Sequence, residues 1–321
     1  VVQATALNTS TMTLRASTAA GAGVASRALT AGASLSTELA TIVSFTLASA
    51  DVTQIKFLTA LGVSAASSFM SITADTIEDM NGNAVNAAAS IALSSAAAFT
   101  ADVTPPQLLS FTLDLDTGSL SLTMNEPVTS VVLTQLSLAA DAAGADPHTL
   151  SLLSSLSTST LGTSATVVDV SISIADLNAI KALPNTAVNT SNTIIALGVG
   201  FVNDRAASGN PNDALDFSAG TAAATVEADE TAVTMDNFEF NLEDGELSMT
   251  FSETVDTFTF SATAITIQSE VGTGGSNITL SGIKAGTSVV RNPVTVLTML
   301  LTDSDMNDIK ALSALAIDRN S

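Results

Sequence analysis

The stretch Ala165–Leu183 reads ATVVDVSISIADLNAIKAL, and the chain writes the same pattern twice more. It recurs as TIVSFTLASADVTQIKFL over Thr41–Leu58 and as VTVLTMLLTDSDMNDIKAL over Val294–Leu312. Each copy is an alternating apolar strand that runs into Asp51, Asp176 or Asp305, then through Thr or Asn to Ile-Lys and a Leu. The three aspartates stand 125 and 129 residues apart, so the chain is a tandem array with a period of about 127 residues. Within the motif the Asp suits the start of a short helix, where its carboxylate can accept free N–H groups. The Ile and Leu return apolar faces to the core, and the Lys suits the negative end of the helix. Three of the four lysines (Lys56, Lys181 and Lys310) occupy this one position. They read as structural charges at a solvated helix end rather than as binding residues.

Composition excludes several functions. The 321 residues carry a formal net charge of −22, with nine Lys plus Arg against 31 Asp plus Glu, one His, and no Cys, Trp or Tyr. Phosphate binding needs clustered cations, so nucleic acid is excluded as a partner. The same acidity repels anionic membrane surfaces. Mean hydropathy is +0.44, yet Ser or Thr interrupts every apolar run short of the ~18 residues of a membrane helix, so no membrane insertion is expected. The hydrophobicity is spread instead as period-two alternation, the signal of sheet. Without Cys there is neither thiol catalysis nor a thiolate metal site. No signal-peptide pattern begins at Val1, so the chain reads as either mature or a window of a longer polypeptide.

Turn chemistry divides the array. Asp79-Met80-Asn81-Gly82-Asn83 holds an Asn-Gly turn, and the corresponding Asp204–Asn210 is lengthened by two residues. Asp102-Val103-Thr104-Pro105-Pro106 marks a boundary, because two prolines block both helix and central strand. Leu108–Val128 then reads as a β-hairpin turning at Asp116-Thr117-Gly118, and Met235–Val255 repeats it one period later. The alternation in both hairpins puts one face inward. Seven to eight short strands per period with one helical turn predict an all-β chain of tandem immunoglobulin-like Greek-key β-sandwiches, each with one short helix. The expected domains are 1–101, lacking its opening hairpin, 102–228, complete, and 229–321, lacking its closing strands.

These residues carry a resemblance. The hairpin ending G-x-L-x-[LM]-T-x-x-E-x-V (Gly118–Val128, Gly245–Val255), the closing D-x-x-G-N turn and the D-x-T-P-P junction resemble tandem bacterial Ig-like domains of surface-layer and adhesin proteins. The D-x-N-x-I-K insert is similar to repeat arrays in very large extracellular proteins of algae, protists and bacteria. The resemblance spans essentially the whole chain through short motifs. It implies an extracellular or cell-surface structural or adhesive role, with no catalytic residues to carry over. Ala232-Val233 replaces Pro-Pro at the second junction, which argues against a rigid linker there.

No catalytic chemistry is legible. His148 stands alone in Asp146-Pro147-His148-Thr149 and reads as a surface-loop residue, since a zinc site needs more ligands. Asp114, Asp116 and Glu126 form no convincing glycosidase pair, because Asn241 replaces Asp114 in the next copy and the acids flank a turn. The chain is therefore not expected to be an enzyme. Calcium is the sharper expectation. Glu126, Asp102, Asp79, Asp204, Glu253 and Asp229 are hard oxygen ligands near the ends of the expected sandwiches, where interdomain Ca2+ would sit. Asn8, Asn189 and Asn277 match the N-glycosylation pattern, as in a secreted glycoprotein.

Two functions remain as expectations. The first is a structural protomer of an extracellular filament, polymerised head-to-tail with itself through strand completion, residues near 1–30 of one copy meeting residues near 230–321 of the next. The second is an adhesin module that binds glycan or protein through the loops Ala20–Ala33, Ala139–Pro147 and Glu270–Asn277.

Overall fold

The structure, a computed structural model, describes residues 2–3, 7–18, 24–30, 32–34, 39–156, 165–272, 274–285 and 294–315. Parts of the loops Ala20–Ala33 and Glu270–Asn277, together with Val1 and Ser321, lie outside the described residues. Among the described residues the chain is mostly β, built of several small sheets with three short α-helices. Among the described residues no helix is long and apolar enough to cross a membrane.

In the first repeat the strands are β1 (Val2–Gln3), β2 (Met12–Arg15), β3 (Ser26–Ala28), β4 (Gly32–Ser34), β5 (Leu39–Ala40) and β6 (Phe45–Leu47). Helix α1 (Ser49–Phe57) follows, then β7 (Phe69–Ile72) and β8 (Ala88–Ala92). The second repeat opens with β9 (Leu108–Asp114) and β10 (Ser119–Met124), continues through β11 (Val128–Val131), β12 (Leu136–Ala139), β13 (His148–Thr149), β14 (Ser155–Leu156) and β15 (Val167–Ser171), and reaches helix α2 (Ile174–Lys181). It closes with β16 (Ile194–Leu197), β17 (Val202–Asp204), β18 (Thr221–Ala222) and β19 (Thr225–Glu227). The third repeat contains β20 (Met235–Asn241), β21 (Glu246–Val255), β22 (Thr266–Gln268), β23 (Asn277–Thr279), β24 (Val294–Leu300) and helix α3 (Asp303–Ala311).

The second repeat shows what the alternation achieves. Its five-stranded sheet, in the order β14-β15-β10-β9-β19, and its four-stranded sheet, β13-β12-β16-β18, share one core. Phe111, Leu113, Leu120, Leu122, Val168 and Val170 enter that core from the first sheet, and Leu136, Leu138, Ile195 and Leu197 from the second. Ile180 of α2 belongs to the same core. Inward residues recur at every second position because successive strand side chains point to opposite faces. Most pairings are antiparallel, but β19 runs parallel to β9, with Val226 opposite Leu113. The β9–β10 hairpin turns where Asp114 accepts the N–H groups of Asp116 and Thr117, both at 2.9 Å. Gly118 there has φ +67, and a Cβ on it would meet Leu177 of α2 at 3.4 Å.

The other repeats keep the same orders over the strands they possess. Sheet β3-β2-β7-β8 matches β13-β12-β16-β18, and sheet β20-β21-β24 matches β9-β10-β15. Helices α1, α2 and α3 have nine, eight and nine residues, within the three turns that the flanking strand patterns leave room for.

Leu122 has no solvent exposure, and Leu109, at the bulge where the register of the same hairpin shifts, is exposed. Leu122→Ala is expected to destabilise the second repeat by about 2–5 kcal/mol through the cavity it leaves, with Leu109→Ala close to neutral. Denaturant melts of the full chain, read by hydrogen exchange in residues 108–204, measure the difference.

Candidate functional site

Each helix is organised by the aspartate of the repeated motif, although not as an N-terminal cap. The capping side chains are Ser173 in α2 and Thr302 in α3, accepting from the N–H of Asp176 at 3.1 Å and of Asp305 at 3.0 Å. Asp51, Asp176 and Asp305 occupy the third helical position and are buried. Their carboxylates turn inward and take the backbone N–H of the residue two places past β3, β13 or β23. These donors are Thr30 at 2.8 Å, Ser151 at 3.1 Å and Ser281 at 3.0 Å. A buried carboxylate needs such donors, since desolvation without them costs several kcal/mol. The motif thus staples the helix to a loop well upstream in the chain.

One further position on the carboxylate changes from repeat to repeat. In the first repeat Arg27 donates to Asp51 from Nε at 2.9 Å and Nη2 at 2.7 Å. In the second, His148 holds the matching place in β13, its Nε2 3.1 Å from Asp176. In the third, Ile278 stands there. His148 is therefore no loop-surface residue. The hydroxyls of Ser151, Ser154 and Ser173 donate to Asp176 at 2.9, 2.6 and 3.0 Å. Nucleophile activation needs the order hydroxyl, imidazole, carboxylate; here the hydroxyls reach the carboxylate directly, which is the geometry of a satisfied structural anion. Burial alone would push the Asp176 carboxyl up, but its hydrogen bonds from Ser154, Ser151 and Ser173 outweigh that and lower it to about 2. Asp51 is lowered likewise, the bonds from Thr30 and Arg27 outweighing its burial.

The helix that these aspartates fix aims its lysine across the repeat boundary. Lys56 at the end of α1 places Nζ 2.5 Å from Glu126 and 2.8 Å from Asp102, both in the second repeat. Lys181 at the end of α2 places Nζ 2.7 Å from Glu253 and 2.9 Å from Asp229, both in the third. At each junction one acid lies in the linker and the other at the end of the opening hairpin, at matching places in the period. Neither lysine faces solvent freely, contrary to the reading of a solvated helix end. Burial by itself would depress the Lys56 amine, but Asp102 and Glu126 outweigh it and raise it, and Glu253 and Asp229 do the same for Lys181. The Glu126 carboxyl is pushed up by burial, only partly offset by Lys56.

Of the expected calcium ligands, Asp102, Glu126 and Asp204 gather at the first junction, with carboxylate oxygens within 4.8 Å of one another. Asp229 and Glu253 meet at the second. Asp79 lies outside both groups, its carboxylate engaged by the N–H groups of Asn81 and Asn83 at 2.8 Å. Asp204 makes the same kind of turn with Asn210 despite the longer loop, at 2.7 Å. Asn210 also donates to the carbonyl of Asp102 at 3.1 Å, pinning the linker. At each junction a lysine ammonium pairs with two of these carboxylates, Lys56 with Asp102 and Glu126 and Lys181 with Asp229 and Glu253.

Secondary contacts differ between the junctions. At the first, the Arg205 guanidinium lies 4.6 Å from the Phe57 ring centroid. A crevice of about 180 Å³ beside it is lined by Ile55, Leu58, Leu61, Phe99 and Asp102. At the second, Thr254 donates its N–H to the Asn178 side chain at 3.1 Å and its hydroxyl to the Asn178 carbonyl at 3.0 Å. The matching positions at the first junction are Thr53 and Pro127, and a proline has no N–H to give. The second linker, without its prolines, is held by Asp116, which accepts from Thr231 Oγ1 at 2.6 Å and from the Glu230 N–H at 3.2 Å.

Asn8, Asn189 and Asn277 are all exposed. Asn8 and Asn189 accept from the N–H of Ser10 and Ser191 at 3.2 and 2.8 Å, and Asn277 lies on β23. No protein-family model matches the chain, and no curated protein matches it.

The lowered Asp176 carboxyl fixes a pH dependence. Its stabilisation of the second repeat is full above about pH 4 and is lost as pH falls from there towards 2, amounting to about 2 kcal/mol. Asp176→Asn, which removes the titration, should flatten this part of an acid-unfolding curve followed by circular dichroism. An unchanged slope between pH 4 and 2 would contradict the assignment.

Proposed function

We propose that this chain is a stretch of tandem immunoglobulin-like Greek-key β-sandwiches serving as a structural part of an extracellular filament or cell-surface fibre. In it, a lysine from each repeat clamps the carboxylates of the next. The observation that carries this reading is the repetition of the clamp. The same three residue types, from the same three places in consecutive repeats, meet at both junctions. A device repeated with the period of the array serves the array rather than one repeat. Acidity favours a hydrated and non-sticking surface, and the resemblance to surface-layer and adhesin repeats points to the outside of a cell.

The ammonium takes the role first expected of calcium. A divalent ion at a junction holds oxygens from two repeats and limits their swing. Lysine does this with one charge, supplied covalently by the preceding repeat, so junction geometry is independent of ambient calcium. The stiffness this gives each junction would pass to any head-to-tail assembly of the chain.

Replacing both lysines by methionine leaves Glu126 and Glu253 without their cation. Removing one partner of a partly buried pair costs about 1–3 kcal/mol at each junction. In small-angle scattering, K56M/K181M should show a broader distribution of repeat-to-repeat angles than the wild type, while chelator leaves the wild-type profile unchanged. A wild-type curve that changes with chelator, or a double variant with an identical curve, would overturn the clamp.

A further inference from the structure

Asp146 and Pro147 form the one Asp–Pro bond of the sequence, in the loop that joins β12 to β13. Among the described residues Asp146 is one of four non-glycine residues with positive φ, at +46. That region is strained for a residue with a side chain, and the strain persists only where the surroundings impose it. Here they impose it from several sides. The Thr186 hydroxyl donates to the Asp146 carbonyl oxygen at 2.7 Å, and Asn185 Nδ2 donates to the Asp146 carboxylate at Oδ2, at 2.8 Å. Downstream of the bond, His148 is anchored on Asp176. Upstream, the Asp141 side chain accepts the N–H groups of Ala143 and Ala145 at 2.9 and 3.0 Å.

The residues that grip Asp146 are peculiar to this repeat. Thr186 stands ten residues past Asp176, and the residues ten past Asp51 and Asp305 are Leu61 and Leu315. All three are 3% exposed, so the place belongs to the core and takes leucine in the other two repeats. Asn185 likewise replaces Ala60 and Ala314. Counted back from Arg27 and Ile278, which hold the place of His148, the counterparts of Asp146-Pro147 are Ala25-Ser26 and Ser276-Asn277. A hydroxyl therefore enters a closed core position in the repeat that has the Asp–Pro bond, and it is directed at the carbonyl of that bond.

We propose that Asp146–Pro147 is a self-cleaving peptide bond. An Asp carboxylate can reach its own main-chain carbonyl carbon and close a five-membered ring with it. Asp146 Oδ1, which has no hydrogen-bond partner among the described residues, is the nucleophile, and Asn185 is a positioning residue that orients the carboxylate through Oδ2. Attack forms a C–O bond and moves the carbonyl π pair onto the carbonyl oxygen, where the Thr186 hydroxyl stabilises the developing charge. Collapse breaks the C–N bond. The Pro147 nitrogen leaves with that electron pair and takes a proton from solvent, to which Pro147 is exposed. The cyclic anhydride left on Asp146 is opened by one water into two carboxyl groups, so the net reaction is hydrolysis of one peptide bond. Cleavage also releases the positive φ of Asp146. The two pieces stay paired afterwards, because β9 holds β19, β10 holds β15, and β12 holds both β13 and β16. The result is a repeat whose chain is cut while its fold stays closed, and the inference does not depend on the reading of the chain as a fibre.

The test incubates the purified full chain at mildly acidic pH with protease inhibitors present, followed by denaturing electrophoresis and intact-mass measurement. Fragments 1–146 and 147–321 are expected, their masses summing to that of the chain plus one water, and eluting as one particle until denatured. Hydroxylamine added during incubation should trap the anhydride as a hydroxamate at Asp146. Asp146→Ala should abolish cleavage. Thr186→Leu, which takes the residue found in the other repeats, should slow it about a hundredfold with an unchanged circular dichroism spectrum, and Thr186→Ser should restore it. Absence of the two fragments, or cleavage at the same rate in Thr186→Leu, would overturn the proposal. An equal rate in the full chain unfolded by guanidinium chloride would do so too, reducing the cut to the ordinary acid lability of an Asp–Pro bond.

Discussion

A carboxylate shut away from water has to be supplied with hydrogen-bond donors, and this chain meets that demand three times with the same solution. Asp51, Asp176 and Asp305 draw a backbone N–H from a loop far upstream, and around it gather hydroxyls, a guanidinium or an imidazole. Because the donors are held just past the ends of sheet strands, the carboxylate fixes the helix, and a fixed helix has a fixed last turn. The ammonium that follows in that last turn therefore arrives at one place rather than sweeping a cone. Together with core residues such as Ile180 and Ile309, the buried acid holds helices that are too short to be stable by themselves, since those under about twelve residues are marginal.

The two ion sites are thus linked in series. The inner one is buried within a repeat and sets an orientation, and the outer one uses that orientation to reach the next repeat. Their electrostatics differ accordingly. Asp176 is so well supplied with donors that its charge is strongly favoured. Glu126 shares one ammonium with Asp102 in a setting where burial disfavours its charge. The first site resembles a permanent fitting, and the second a contact whose strength depends on the cation staying in place.

Much of the sheet architecture is legible in the sequence because local rules govern it. The alternation of Phe111 with Leu113, and of Leu120 with Leu122 and Met124, tells which face lies inside, and Gly118 marks the turn. The Asp-to-Lys motif reads as a short helix for the right periodic reason. What stays hidden is whatever depends on segments far apart in the chain. The position of Asp176 suits a cap, but a capping residue and a residue three places later are distinguished only by the loop that returns beneath, here Ser151. The carboxylates Asp102, Glu126, Asp229 and Glu253 read as calcium ligands in the sequence, whereas the structure pairs them with Lys56 and Lys181 of the preceding repeat. Spacing alone does not reveal such a pairing. His148 looks solitary in its own segment, although the residue it meets belongs to the most prominent motif in the chain.

The parallel pairing of β19 with β9 bears on how a repeat responds to being pulled. The chain enters the second repeat at the start of β9 and leaves it at the end of β19, and these two strands lie side by side and point the same way. Tension along the chain draws one strand back and the other forward, sliding them past each other. Their hydrogen bonds, with those of Ala224 to Phe111 and of Leu115 to Glu227 at the margins, are then loaded in shear, so that several must break together instead of opening one by one. The lysine contacts just outside each end of this pair stand first in the line of force. Such a chain would give way at its junctions under modest tension, lengthening a little, and keep its cores intact until the tension was much higher.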